Sequence, residues 1–196
     1  FGGCSQPDSL PNPWVMLCCT GNGARGLYYA WESIVRENGD KAEVNLLLNR
    51  AARLLDIESH LPYEGKVVIR NKAARRVSVR IPFWMDRTKL RADVSGKEAA
   101  LDWVGNRILF AGLQARDVLT LTFPIRETTA AYTVNAHTPQ ARIYTCTFRA
   151  STLVDISPCD ASPTSYPFYQ RAHRRQDHAP MKTVERFVAE RIVTKW

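Results

Sequence analysis

Residues Asp117-Val118-Leu119-Thr120-Leu121-Thr122-Phe123-Pro124-Ile125 decide the fold. Leu119, Leu121 and Phe123 fall on one side and Thr120 and Thr122 on the other, the period of a strand with one dry and one wet face. Pro124 has no amide hydrogen to give a ladder and ends the run. Working outward, Val77, Val79 and Ile81 alternate with Ser78 and Arg80 in the same way. Runs of strand length also cover Ala42 to Leu48, Arg53 to Ile57, Lys66 to Arg70, Lys89 to Val94 and Arg107 to Phe110. Between them stand turn signals: Glu64-Gly65, Asn71-Lys72, Ser95-Gly96, Gly105-Asn106 and Arg116-Asp117. Short strands at intervals of roughly 8–12 residues with polar turns predict an antiparallel β-sandwich or barrel.

The flanks read differently. Residues Phe1 to Met16 are loop-like, broken by Gly2-Gly3, Pro7, Pro11 and Pro13. From Ala24 the apolar residues Leu27, Tyr28, Trp31, Ile34 and Val35 keep helical spacing, which predicts a helix over 23–37. Asn22 is its expected N-cap and Asn38-Gly39 its left-handed stop. Glu32 and Arg36 are spaced as an ordinary i,i+4 pair, a reading preferred to a catalytic carboxylate. No other segment offers a comparable helix to cover the Tyr28–Trp31 face, so the expectation is a helical body whose other helices precede Phe1. Beyond the sandwich, Ala141 to Phe148 and Thr152 to Ile156 read as two more strands, and Asp155 as a turn-facing carboxylate. Cys146 alternates into the core and Cys159 beside Pro158 is expected at the surface. Residues 162–177 read as irregular surface, and Met181 to Val193 as a helix. The expected division is 1–40 for the helical end, 41–130 for the sandwich, and 131–196 for C-terminal strands and an irregular tail.

The stretch that looks built for chemistry is Leu17-Cys18-Cys19-Thr20-Gly21-Asn22-Gly23-Ala24-Arg25. On this reading Cys18 and Cys19 lie just ahead of a helix N-terminus, where positive potential stabilises a thiolate. Vicinal cysteines cannot easily bridge each other. Burial, metal ligation and nucleophilic catalysis therefore remain open. Zinc would use both sulfurs and needs two further ligands for a tetrahedral site. Cys4 is a candidate third sulfur, although a loop cysteine without a special role is commoner.

The composition narrows the alternatives. A hydrophobic fraction of 45% with 23% charged residues is that of a globular protein, with no apolar run long enough to span a bilayer. The net charge of +8 raises nucleic acid as a partner, but no helix-turn-helix, finger or RNA-binding signature organises it, and a solvated basic face is the preferred reading. The five cysteines, Cys4, Cys18, Cys19, Cys146 and Cys159, form no CxxC pair and no even framework, which favours free thiols. The start at Phe1-Gly2-Gly3 suggests a portion of a longer chain. The compartment is not legible.

The segment Cys18-Cys19-Thr20-Gly21-Asn22-Gly23-Ala24-Arg25 resembles the Cys-Cys-x-x-Asn-x-x-Arg motif of the β-L-arabinofuranosidases, family 127 of the glycoside hydrolases. Tyr63-Glu64-Gly65-Lys66-Val67-Val68-Ile69, Arg80-Ile81-Pro82-Phe83-Trp84 and the Asp117–Ile125 stretch follow in order and are similar to that family's sandwich segments. The resemblance runs from about Cys18 to Arg126. It implies a mainly β fold, an antiparallel β-sandwich preceded by the last helix of an (α/α)6 barrel whose remainder lies outside this chain. It implies that Cys18 is the nucleophile of a retaining hydrolysis of a terminal sugar, and that Cys18 and Cys19 ligate zinc. The acid/base glutamate, the other zinc-ligating glutamate and a third cysteine would come from the missing barrel, so this portion alone is expected to be inactive. Cys4 lies too near the motif to match that third cysteine. Thr20-Gly21 stand where better-known arabinofuranosidases carry two prolines, a departure from the family's pattern next to the cysteine pair. A rival reading is a non-catalytic sandwich that binds carbohydrate through exposed Trp84 and Trp103 or props a neighbouring domain. Binding to nucleic acid, a third possibility, would show as affinity falling steeply with salt.

Overall fold

The computed structural model describes residues 13–158 and 172–182; of residues 13–20 and of Ala172 and His173 only the backbone course is described. The chain opens with helix α1 (Pro13–Glu32) and continues in strands. These are β1 (Val35–Asn38), β2 (Lys41–Val44), β3 (Arg50–Ala51), β4 (Leu55–Ser59), β5 (Lys66–Asn71), β6 (Arg76–Arg80) and β7 (Arg91–Val94). They are followed by β8 (Lys97–Glu98), β9 (Asp102–Val104), β10 (Arg107–Ala111), β11 (Val118–Thr122), β12 (Glu127–Val134), β13 (Arg142–Arg149) and β14 (Thr152–Ser157). A short 3-10 turn covers Ala172–Arg175.

Two sheets make the sandwich. One runs in the order β1-β2-β6-β10-β9 and the other β3-β4-β5-β11-β7-β8. All pairings are antiparallel except β2 with β6, which run parallel. Register carries the alternation across each sheet. In the first, Val44 stands opposite Val79, which stands opposite Ile108, and Ala42 opposite Val77, which stands opposite Phe110. In the second, Ile57, Ile69, Leu119 and Val94 form one row, with Val67, Leu121 and Ala92 in the next. The dry rows of both sheets belong to a single core. Each fully buried Val, Leu or Ile there contributes about 1.5–3 kcal/mol relative to an exposed position. A one-residue slip in any strand would turn its dry side outward, so the pattern fixes the register.

The remaining strands form a third sheet, β12-β13-β14. β12 spans Glu127–Val134 and pairs with β13 along its whole length. The third sheet is thinly packed: Cys146 and Val154 are its buried apolar residues, while Tyr132, Val134 and Ile143 stay exposed. Cys146 is core, as its alternation predicted.

The N-terminal expectations need correction. Residues Pro13 to Met16 are helical, and the helix ends at Glu32. Proline at the first helical position loses no hydrogen bond, because that amide has no intrahelical acceptor in any case. Ile34 and Val35 kept the helical spacing, but they are adjacent β-branched residues that leave the helix and enter the sandwich core. Arg36 consequently lies on β1 and forms no i,i+4 pair with Glu32. Gly39, at φ +60°, turns the β1–β2 hairpin instead of closing a helix. Cys4 and Cys159 lie outside the described residues, as does most of the helix expected over Met181 to Val193.

Candidate functional site

Helix α1 carries the cysteine pair. Because it begins at Pro13, Cys18 and Cys19 sit in its second turn, and Asn22 is an interior residue with no capping role. This overturns the electrostatic half of the sequence argument. The helix dipole acts within about the first turn, so it does not place either sulfur at a positive end. Successive helical residues are rotated by about 100° around the axis, so the two Cα–Cβ directions diverge.

The helix meets the sandwich at its C-terminal end. Ser33 N–H still donates to Tyr29 C=O at 3.0 Å, and Asn45 N–H to Ile34 C=O at 2.8 Å, which fixes the angle of entry. The Arg50 guanidinium stacks over the Trp31 ring at 3.4 Å from its centroid. Burial holds Arg50 below its ordinary range, opposed by Glu37, Tyr28 and Glu32, and its Nε has no hydrogen-bond partner. Below this contact Glu37 accepts from Leu54 N–H at 2.6 Å and pairs with Arg53 at 3.5 Å. Asn45 donates to Ser33 C=O and accepts from Arg107, which also reaches Ser78 Oγ at 2.9 Å. The exit of the helix is thus tied to β2, β3, β6 and β10. Among its described side chains, Leu27, Tyr28, Tyr29 and Trp31 are all exposed, by 48–66%.

The other candidates are accounted for locally. Trp84 is partly buried, packed edge-on against Phe123 with ring centres 6.0 Å apart. Trp103 also packs on the core, and Arg87 lies over its ring at 4.5 Å. The exposed sugar-stacking tryptophans of the rival reading are therefore not present, and the fully exposed aromatic in that region is Phe83, which the sequence reading passed over. Its position one residue past Ile81-Pro82 breaks the strand alternation, and that was the available signal. Asp155 is exposed and pairs with Arg175 at 3.5 Å, as a carboxylate with a structural partner. Among the described residues no cluster of three His, Cys, Asp or Glu side chains is arranged to take a metal ion. Among the described residues no helix is long and apolar enough to cross a membrane.

Comparison with solved structures gives a likeness for the whole arrangement. A chain described as a glycoside hydrolase superposes with a TM-score of 0.51 at 18% identity, over 78% of this chain and 28% of that one. The likeness is one of fold. Two further structures are a GH127 β-L-arabinofuranosidase from Geobacillus stearothermophilus T6, TM-score 0.48 at 18% identity, and a second GH127 β-arabinofuranosidase, TM-score 0.45 at 16% identity. They cover 69% and 61% of this chain and 23% of their own lengths. The present chain spans about a quarter of the length of each of the three. No family model and no curated protein matches the sequence.

Proposed function

We propose that this chain is the part of a β-L-arabinofuranosidase-like glycoside hydrolase that bears the thiol nucleophile, followed by the β-sandwich that supports it. The observation carrying the reading is the order of parts: a helix with Cys18-Cys19 runs straight into a sandwich of glycoside-hydrolase fold. The open apolar surface of α1 supports a second element of the proposal, a helical barrel in the intact protein that covers Leu27, Tyr28 and Trp31. In this reading Cys18 attacks the anomeric carbon of a terminal sugar as the glycosidic C–O bond breaks, the leaving oxygen takes a proton from the acid/base glutamate of the barrel, and water later cleaves the C–S bond with retention, returning the thiolate. Zinc is the proposed cofactor. Two thiolates are the right donor type for it and supply half of a tetrahedral set, Cys18 and Cys19, the other half coming from the barrel. Bound there, zinc would keep a thiolate available at neutral pH, a task the helix end does not perform for residues in the second turn.

The test uses the full-length protein, assayed for hydrolysis of aryl glycosides of terminal pentoses with the anomer of the product read by NMR. The expected result is retention, about one zinc per chain, and loss of both turnover and zinc in Cys18→Ser. Unchanged zinc and unchanged hydrolysis in that variant would remove Cys18 from the chemistry.

A further inference from the structure

Three titratable side chains and an arginine that the proposed chemistry does not use converge on the turn between β4 and β5. Glu64 Oε1 accepts from Ala179 N–H at 3.1 Å, with His60 Nδ1 at 3.4 Å and His178 Nδ1 at 3.7 Å. Beside it Arg149, on the last residue of β13 and largely buried, donates to three backbone carbonyls. They are Tyr63 at 3.1 Å in the β4–β5 turn, and Arg175 at 2.7 Å and Gln176 at 3.3 Å in the segment 172–182. Arg149 also meets Asp177 at 3.4 Å. The same segment touches β14 through Arg175 and Asp155. One short strap therefore bears on the third sheet at two strands and on the sandwich at one turn.

That geometry matters because, among the described residues, the third sheet has little else to hold it. Its buried apolar residues are Cys146 and Val154. A three-stranded sheet with so small a dry side is marginal without a neighbour. We propose that Glu64 and Arg149 form an acid-sensitive clamp, in which residues 172–182 strap the sheet β12-β13-β14 to the sandwich.

The two halves of the clamp respond differently to pH. Arg149 keeps its charge throughout and serves as the permanent pin. Glu64 is the releasable half. The Ala179 N–H, followed by the hydrogen bond and charge of His60 and the charge of His178, holds its carboxyl below the ordinary carboxylate range against the opposing effect of burial. A carboxyl whose folded value is depressed stabilises the bound strap above its free value, and that contribution is lost as pH falls through the depressed value. His60 from the turn and His178 from the strap add attraction when cationic. Arg149 with Asp177, Arg175 with Asp155, and Arg174 and Lys182 of the strap itself are further charged groups around it. Release therefore needs the Glu64 carboxylate itself to take up a proton. This inference is independent of the glycosidase reading.

Amide hydrogen exchange on the 196-residue chain, corrected for intrinsic rate and followed from neutral pH into acid, tests it. The wild type is expected to protect Ala179 and the β12–β13 amides at neutral pH and to lose that protection in acid before β5 and β11 lose theirs. In Glu64→Gln the Ala179 amide should exchange about tenfold faster at neutral pH and lose its pH dependence, since a charged acceptor has become a neutral one. Arg149→Lys should free the strap at every pH. Protection of 172–182 that is equal in wild type and Glu64→Gln and flat with pH overturns the clamp. So does loss of strap and sandwich protection together in the wild-type acid series, because Glu64 would then belong to the global fold.

Discussion

Phe123 N–H donates to Gly65 C=O at 2.8 Å, and the Phe123 carbonyl fills the space where any other residue at 65 would carry its Cβ, with the carbonyl carbon 2.8 Å from that point. The start of β5 and the end of β11 are adjacent strands, and here their backbones meet without a side chain between them. Phe123 closes the core at this end, with Trp84 against its ring.

Gly65→Ala should therefore be among the most damaging small substitutions in the chain. The obstacle is backbone, which cannot rotate away as a side chain can, so β5 and β11 must separate at their ends. The expected loss is about 3 kcal/mol or more, with the denaturation midpoint falling and the slope nearly unchanged. A glycine control at an open position, Gly21→Ala, where nothing lies near the added Cβ, should gain slightly through helix propensity. Equilibrium urea unfolding of the two variants separates steric exclusion from a general intolerance of glycine replacement.

Asn71 gives a second sharp expectation. It is buried at the end of β5, where its amide donates to Ala74 C=O at 2.8 Å and to Gln114 C=O at 2.7 Å, and its Oδ1 accepts from Ala74 N–H at 2.8 Å. The side chain thus ties the β5–β6 turn to the β10–β11 connection. Asn71→Asp keeps the shape and exchanges the donor for a second acceptor, leaving two carbonyls facing a buried carboxylate. It should cost about 2–4 kcal/mol at neutral pH and less in acid, where a protonated carboxyl can donate to one of them. A pH series of thermal unfolding checks the sign. Equal destabilisation at both ends of the range would show that the lost donor is not what matters.

How much of this was legible follows from which physical signal each residue carries. The strands around Val77, Leu119 and Ile108 were readable because each has one wet and one dry face, and the alternation is a direct record of that asymmetry. Asn71 was read as a turn residue, whereas it is the last residue of β5 and the turn begins at Lys72; sequence cannot show that its side chain points inward to replace missing backbone partners. At the helix the period misled: Trp31, Ile34 and Val35 fit one helical stripe, while the chain uses Trp31 on the helix and Ile34-Val35 in the sheet core. The competing signal, two adjacent β-branched residues before an Asn-Gly hairpin, was present at Ile34 to Gly39 and lost to the longer pattern. Pro13 was counted as a breaker although a first-position proline starts helices. The cysteine pair was legible as a motif, whereas its electrostatic setting depended on the one boundary that periodicity placed poorly.

The two β bodies should also differ in how they answer truncation. Leu119 is fully buried on β11, and Leu119→Ala removes core contacts that surrounding strands cannot close over, a loss of about 2–5 kcal/mol. Ile143 lies on the central strand of the third sheet yet is 64% exposed, so Ile143→Ser should change stability by less than about 0.5 kcal/mol. Parallel denaturation of the pair tests whether the third sheet has a hidden dry side. A loss at Ile143 comparable with that at Leu119 would mean that it does.

The last expectation concerns the joint on which the cysteine helix turns. Arg50 lies over Trp31 and carries a buried Nε without a partner, so two opposed effects meet in one side chain. Stacking a cation on an indole contributes about 0.5–2 kcal/mol, while an unsatisfied donor costs about 1–3 kcal/mol. Trp31→Ala removes the stack and leaves the donor, so it should loosen α1 clearly. Arg50→Met removes both the charge and the orphan atom but keeps an unbranched stem against the ring, and should stay within about 1 kcal/mol of wild type. Exchange of the α1 amides, compared with those of β5 and β11, reads the result. If Arg50→Met frees the helix as fully as Trp31→Ala, the charge and not the shared surface aligns the segment that bears Cys18 and Cys19.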